Sequence, residues 1–230
     1  SDSIKREKKF FNAIKSSVGS KFRELKYDII DFKWQRRPKI RKAGRPEWWG
    51  GWVCEFKLVS FCYRGKDNNI KRRNALIPEG ANSSKILVEI SEHEYCGKKR
   101  TKTIQGVKVL GYSRELLVLE KLRAICQQHP DYVHKRLGKN RARDFYDIYE
   151  LTVHAKMDFK KSCFRLRKVF DAKEVPMKLL SSLWDEQFID EQRRGFDEVR
   201  NTVTGDVHNF DVYLEHLRFL VKEIYPEINQ

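Results

Sequence analysis

Three places in the sequence combine residue types and spacings that could do chemistry. The first is Ser113-Arg-Glu-Leu-Leu-Val-Leu-Glu-Lys121-Leu-Arg123-Ala-Ile-Cys126. On a helix, Lys121 has Leu117, Ala124 and Ile125 as neighbours at i−4, i+3 and i+4, all apolar. A lysine flanked in this way is partly desolvated and calls for a carboxylate or phosphate partner. The plainer alternative is a stem that covers apolar surface while the ammonium reaches water. The second place is Arg141-Ala-Arg143-Asp144-Phe-Tyr-Asp147-Ile-Tyr-Glu150. Helical spacing sets Asp144 on one face with Ile148 and Leu151, with Asp147 one turn along beside Leu151. Carboxylates on a core-facing stripe must be paired, coordinated or hydrogen-bonded. Equally, acidic residues in a first turn complement the helix dipole, with Arg141 or Arg143 as partners. The third is Glu89, which projects opposite Val88 and Ile90 if its segment is a strand. There it could help hold a metal, or simply face water.

The common phosphate-cradling loops, G-x-x-x-x-G-K and G-x-G-x-x-G, do not occur. Gly50-Gly51 follows two tryptophans and precedes an apolar run, which suits a turn leading into a strand. The basic segment from Lys33 to Arg45 includes Arg36, Arg37 and Lys39, with Trp34, Trp48 and Trp49 close in sequence. That mixture suits nucleic-acid contact through the phosphate backbone and base stacking, and it suits a solvated loop equally well. Across 230 residues, 48 Lys+Arg against 32 Asp+Glu give a net charge of +16, a field that favours phosphates of nucleic acid, nucleotides or an anionic membrane. No apolar run approaches the ~18 residues of a membrane span, and the start has no apolar leader core. Five widely spaced cysteines with no C-x-x-C pair fit free thiols in a reducing cytosol. The expectation is a cytoplasmic, phosphate-seeking globular protein with no membrane partner.

These residues need elements to position them. Ile4, Phe11, Ile14, Val18 and Phe22 recur at helical intervals. Strands are expected over 27–34, 52–63 and 104–110, and over 85–92, where Ile86, Val88 and Ile90 alternate with Leu87, Glu89 and Ser91. Residues 68–76 read as a short helix or irregular loop, Pro78-Glu79-Gly80 as a turn, and Lys98-Lys99-Arg100 as a basic hairpin. Helices are expected near 114–128, 142–154, 161–172, 176–200 and 210–224. Strands before helices argue an α+β fold: a mainly antiparallel or mixed sheet, then a helical layer or subdomain. The division falls between a sheet-bearing core at 1–112 and a helical region at 113–230.

Glu120-Lys121-Leu-Arg-Ala, followed 23 residues after the lysine by Arg143-Asp144-Phe-Tyr-Asp147-Ile-Tyr, resembles the paired C-terminal motifs of the AbiEii/AbiGii group. These are nucleotidyltransferase-like toxins of bacterial abortive-infection and toxin–antitoxin systems. Ile30-Asp-Phe-Lys-Trp-Gln, Trp49-Gly-Gly-Trp-Val-Cys-Glu-Phe-Lys-Leu, Arg72-Arg-Asn-Ala and Val88-Glu-Ile-Ser are also similar to a branch of that group, over about residues 4–155. The resemblance implies a polymerase-β-like nucleotidyltransferase core, incomplete at its N-terminus, with the helical region carrying the lysine and Arg-Asp motifs. It implies an NTP substrate, Mg²⁺ as cofactor, and transfer of a nucleotide to an acceptor such as tRNA or another RNA, with a cognate antitoxin as partner. By the same resemblance Lys121 contacts nucleotide phosphates and Asp144 orients that lysine or the site. Arg143 and Arg123 support phosphate binding, and Glu89 stands near the metal. Arg36, Arg37, Lys39 and Trp48 are the expected nucleic-acid contacts.

One departure bears on this. The family's first motif is a Gly-rich turn and helix followed by a strand with D-x-D, which supplies the metal ligands needed for in-line nucleotide transfer. No D-x-D occurs before Glu89, and the sequence reads as beginning just after the place where that motif would end. Three explanations stand: a fragment lacking its N-terminal part, a partner that supplies the motif, or a protein that is not catalytic. The alternative function is a non-catalytic nucleic-acid- or partner-binding protein with a degenerate nucleotidyltransferase fold.

Overall fold

Helix α1 (Asp2–Glu24) turns Val18 and Phe22 onto a core of Cys54, Phe56 and Leu58 contributed by the central strand of a sheet. This is a computed structural model, and it describes residues 2–40, 46, 48–97, 99–104, 106–135, 140–154, 157, 159 and 162–229. The chain divides into two units, residues 1–92 and 93–230. In the first, β1 (Tyr27–Arg37), β2 (Gly51–Ser60) and β3 (Ile86–Ser91) form an antiparallel sheet in the order β1-β2-β3. Val53 and Val59, which alternate with the core residues of β2, are buried as well. Glu55 and Lys57 share that second face with them, held in ion pairs with Lys33, Lys85 and Asp31. Gly51 starts β2 because nothing larger fits: a Cβ there would lie 2.0 Å from the carbonyl oxygen of Ile90. The Gly pair thus belongs to strand pairing and not to a phosphate loop.

β1 runs three residues beyond its expected end, so Arg36 and Arg37 are strand residues opposite Trp52 and Gly51. Residues 41–45 of the expected basic loop lie outside the described residues. The β1–β2 register shifts between Ile30 and Lys33, and Asp31 there has φ 54°, the mark of a bulge. Residues 68–73 form a short helix, α2 (Asn68–Arg73), because the Asp67 carboxylate accepts from the backbone N–H groups of Asn69 and Ile70.

The second unit opens on an antiparallel hairpin, β4 (Arg100–Ile104) and β5 (Val107–Gly111). The sequence suggested a hairpin at Lys98–Arg100 and one strand after it. Instead Arg100 starts β4 and the chain reverses through Gly106, whose φ of 79° suits glycine; Lys98 lies outside the described residues. Helices follow: α3 (Arg114–Cys126), α4 (Ala142–Thr152), α5 (Ser162–Asp171), a 3₁₀ segment (Met177–Trp184), α6 (Glu186–Arg194), α7 (Phe196–Arg200) and α8 (Phe210–Ile224). The single helix expected over 176–200 is broken twice. Asp185 caps α6 by accepting from the N–H groups of Gln187 and Phe188, and Gly195 divides α6 from α7. Position 161, at the expected start of α5, lies outside the described residues.

The core of this unit is aliphatic between α3, α4 and α5, with Leu119, Leu122, Ile125, Ile148 and Leu166 fully buried. It is aromatic toward α8, where Phe145 lies 5.0 Å from Phe210, and Phe196 lies 5.3 Å from both Phe210 and Tyr213. Both sheets are antiparallel and the fold is α+β. All five cysteines are free. Among the described residues no helix is long and apolar enough to cross a membrane.

Candidate functional site

The packing of α3 on α4 builds the site. Ser113 caps α3, its Oγ accepting from the Leu116 N–H at 3.1 Å. Burial of Leu119, Leu122 and Ile125 on one helix, and of Phe145 and Ile148 on the other, fixes the helices in rotation. Lys121 is thereby set along the seam facing Asp144 and Asp147. The start of α4 is anchored separately. Asn140 Oδ1 accepts from the Ala142 N–H at 2.6 Å, Asn140 Nδ2 donates to the Glu191 carbonyl at 2.8 Å, and the Arg141 N–H donates to Gln192 Oε1 at 3.0 Å. These bonds tie the first turn of α4, and with it Asp144, to α6.

Lys121 Nζ donates to Asp144 Oδ1 at 2.8 Å and to Asp147 Oδ2 at 2.7 Å. Arg141 Nη1 lies 3.5 Å from Asp144 Oδ2, and Arg143 Nε lies 3.7 Å from Asp147 Oδ1. Arg143 also donates to Thr202 Oγ1 at 3.2 Å. Three cations thus meet two carboxylates. The Lys121 and Asp144 side chains retain 26% and 11% exposure, while that of Arg143 is 57% exposed. Burial pulls the lysine pKa down, but the hydrogen bonds and charges of Asp144 and Asp147 outweigh it, and the pKa lies above its ordinary value. The ammonium therefore stays charged. Its two bonds leave a third hydrogen for an anionic ligand. Asp144 Oδ2 and Arg141 Nε are buried without a hydrogen-bond partner, which is costly unless a ligand or water completes the cluster. Chemically, the arrangement can grip an oxyanion with lysine and arginine while the carboxylates hold the lysine in place.

The other expected site residues fall elsewhere. Arg123 forks onto Glu120 Oε2 at 3.0 and 2.6 Å and donates to Gln127 Oε1 at 2.6 Å, with its side chain only 11% exposed. Its donors are directed within α3 and its end, away from the Lys121 centre. Glu89 is 73% exposed on the edge strand, with Arg37 Nη1 at 3.5 Å. Arg36 forks onto Glu92 at 2.9 and 3.1 Å and lies over the Trp52 ring at 5.4 Å. Lys39 is exposed and Trp48 is half-buried.

Sequence reasoning missed a carboxylate pair in the first unit. Asp28 stands opposite Val59, and Asp31 reaches Lys57 Nζ at 3.5 Å, two residues along β2 on the same face. The bulge absorbs one residue, so aspartates three apart share a face as those of a D-x-D strand would. The signal in the sequence is Asp28-Ile-Ile-Asp31, with a spacing one residue too long for strict alternation. These carboxylates are already gripped. Arg64 forks onto Asp28 at 2.6 and 2.9 Å, and Arg72 forks onto Asp31 at 2.9 and 3.0 Å. Both pKa values are lowered, chiefly by those arginine hydrogen bonds. The residues at hand do not fit the magnesium that the resemblance implies. Asp28, Asp31 and Glu89 each face a guanidinium, Glu55 faces the ammonium groups of Lys33 and Lys85, and among the described residues no three His, Cys, Asp or Glu converge to hold a metal.

A family model described as nucleotidyl transferase AbiEii toxin, Type IV TA system, matches residues 6–216. No curated protein and no solved structure gives a match to the chain.

Proposed function

The chain belongs to the AbiEii family of nucleotidyl transferase toxins of type IV toxin–antitoxin systems, and from that premise we propose that, when the D-x-D metal ligands are supplied from outside these residues, it acts by transferring a nucleotide from an NTP to a hydroxyl of an acceptor such as an RNA, tRNA included. Membership also implies a cognate antitoxin. The observation that carries the reading is the ammonium of Lys121, kept charged and aimed by Asp144 and Asp147 at 2.8 and 2.7 Å. A triphosphate is a dense anion, and a fixed ammonium with one uncommitted hydrogen beside the exposed Arg143 is a ready partner for it. Asp144 acts as a positioning residue that holds Lys121. The net charge of +16 supplies the attraction for a polyanionic acceptor.

The test is to incubate the protein in the form its host makes, together with any partner that co-purifies with it, with Mg²⁺, each labelled NTP and total RNA, and to follow label into RNA. Label is expected with wild type and is expected to fall at least about a hundredfold, a range typical of losing an electrostatic contact to the reacting groups, in Lys121→Met. Asp144→Asn should lower the rate less than Lys121→Met does, with its main effect on KM. Absence of transfer from every NTP to every RNA would sink the reading.

A second reading is favoured by one observation: Asp28, Asp31 and Glu89 each face a guanidinium. Under it the protein binds RNA or a protein partner without catalysis. It predicts salt-sensitive RNA binding that survives both chelation of divalent ions and Asp144→Asn.

A further inference from the structure

We propose that the β4–β5 hairpin is a docking edge for an extended, acidic segment of a partner protein, which adds along β4 as a third strand. Among the described residues β4 and β5 pair with each other and with no other strand. The outer edge of β4 therefore presents a row of backbone N–H and C=O groups that no strand satisfies. A two-stranded ribbon is marginal in water by itself, and a third strand is what such an edge gains from most. Nothing covers the ribbon from its faces either: every residue of β4 is exposed, and Ile104, Val109 and Leu110 are 57%, 41% and 65% exposed.

The side chains select the occupant. Residues 95–114 hold six Lys and Arg and no Asp or Glu. Elsewhere arginines are held by carboxylates, as at Arg36, Arg64 and Arg72. Arg100, Lys102 and Lys108 have no such partner among the described residues. Lys102 stands opposite Val109, and alternation along β4 sets Arg100, Lys102 and Ile104 on that same face. A phosphate backbone would meet the two cations and leave the aliphatic groups and the open edge with nothing. A second copy of the ribbon would set like charges opposite one another, which disfavours self-pairing. Lysine on an exposed edge guards against such self-association, and the same charge attracts a strand of opposite sign. A strand added antiparallel along β4 would place an aliphatic residue opposite Ile104 and acids opposite Lys102 and Arg100. Its motif is aliphatic-x-acid-x-acid, which satisfies the backbone edge, the charges and the apolar surface together. This edge lies within the second unit and does not depend on the Lys121 centre.

The test uses the full chain and a fluorescein-labelled peptide, Gly-Thr-Ile-Thr-Glu-Thr-Glu-Thr-Gly, in about 0.15 M salt, where charges more than about 8 Å apart are screened. Anisotropy is expected to show saturable binding, and amide hydrogen exchange should slow across residues 100–104. The same peptide methylated at its backbone nitrogens keeps its side chains and loses its donors, and it should bind at least about tenfold more weakly. Arg100→Glu/Lys102→Glu should weaken binding of the parent peptide at least about tenfold. Lys178→Glu/Arg194→Glu, exposed charges elsewhere in the same unit, should leave it unchanged. Ile104→Thr keeps a strand-forming residue and removes the aliphatic contact, so it should weaken binding as well. A short single-stranded RNA should leave exchange at 100–104 unchanged. A parent peptide that does not bind overturns the docking edge, and so does a methylated peptide that binds as tightly as its parent. Equal loss in the two charge-reversal variants, or RNA that slows exchange at the hairpin and displaces the peptide, overturns it too. The comparison of the two peptides needs wild type alone, so it decides even where a variant fails to fold.

Discussion

Replacing Lys121 by methionine keeps most of the stem and removes the ammonium, so its effect isolates the charge at the α3–α4 seam. The lysine makes two charge-assisted hydrogen bonds, at 2.8 and 2.7 Å, to carboxylates that are largely shielded from water. Such bonds contribute about 1.5–3 kcal/mol each, against which stands the cost of desolvating the lysine. Breaking a fully buried pair costs about 3–5 kcal/mol, and partial exposure of Lys121 and Asp147 lowers that. The expected loss is about 2–4 kcal/mol, most of it from leaving Asp144 without its main cation. A double-mutant cycle with Asp144→Asn separates this from lost packing. The pair should be less destabilised than the sum of the singles by about 1–2 kcal/mol. Urea unfolding followed by the helical circular dichroism signal gives all four values. A Lys121→Met protein within about 0.5 kcal/mol of wild type, or strict additivity in the cycle, would refute the argument that Lys121 is held by these carboxylates.

The same ionic logic sets the pH response. Because its pKa is raised, Lys121 contributes its full stabilisation below the ordinary lysine value of about 10.4 and loses it as pH rises through the higher folded value. Asp28 is the opposite case. Its carboxyl is held below the usual range by Arg64, so the stability gap between wild type and Asp28→Asn should hold from neutral pH down to about pH 4 and close as pH falls further, which acid titration of the melting temperature reads. His216 is pulled down by burial, with its Nε2 2.6 Å from Thr152 Oγ1, so the unfolded chain binds the proton first. Wild-type stability should decline below about pH 6.5, and His216→Gln should flatten that decline in the same titration. Gly195→Ala is tolerable for the backbone at φ −82°, yet its Cβ would lie 2.2 Å from Asn140 Nδ2. Asn140 is held by two hydrogen bonds and cannot yield freely, so a thermal melt should show a loss of about 1–3 kcal/mol.

What the sequence disclosed, and what it hid, follows the range of the interactions involved. Lys121 could be singled out because its apolar neighbours lie within one helical turn, and the demand for a carboxylate follows from them. The paired acids of α4 are 23 and 26 residues away, but their own helical stripe announced them. The shared face of Asp28 and Asp31 was not legible, since a bulge inserts one residue between them and no local rule says where. The C-terminal end of β1 failed for a related reason: Arg36 and Arg37 are paired across the sheet with Trp52 and Gly51, and the partner strand, not propensity, extends the element. The local partners of Arg123 were readable, because Glu120 at i−3 and Gln127 at i+4 stand in reach of its guanidinium. The break at Asp185 was readable too, as an acid placed to cap the turn carrying Gln187 and Phe188.

The most direct test of the central claim is growth of a bacterial culture after induction of the chain, compared with Lys121→Met and Asp144→Asn proteins shown to accumulate in folded form. A toxin that works through the Lys121 centre predicts growth arrest with wild type, none with Lys121→Met, and a weakened arrest with Asp144→Asn. Equal arrest by all three proteins would contradict it, and so would the absence of arrest by wild type in a host that lacks the antitoxin.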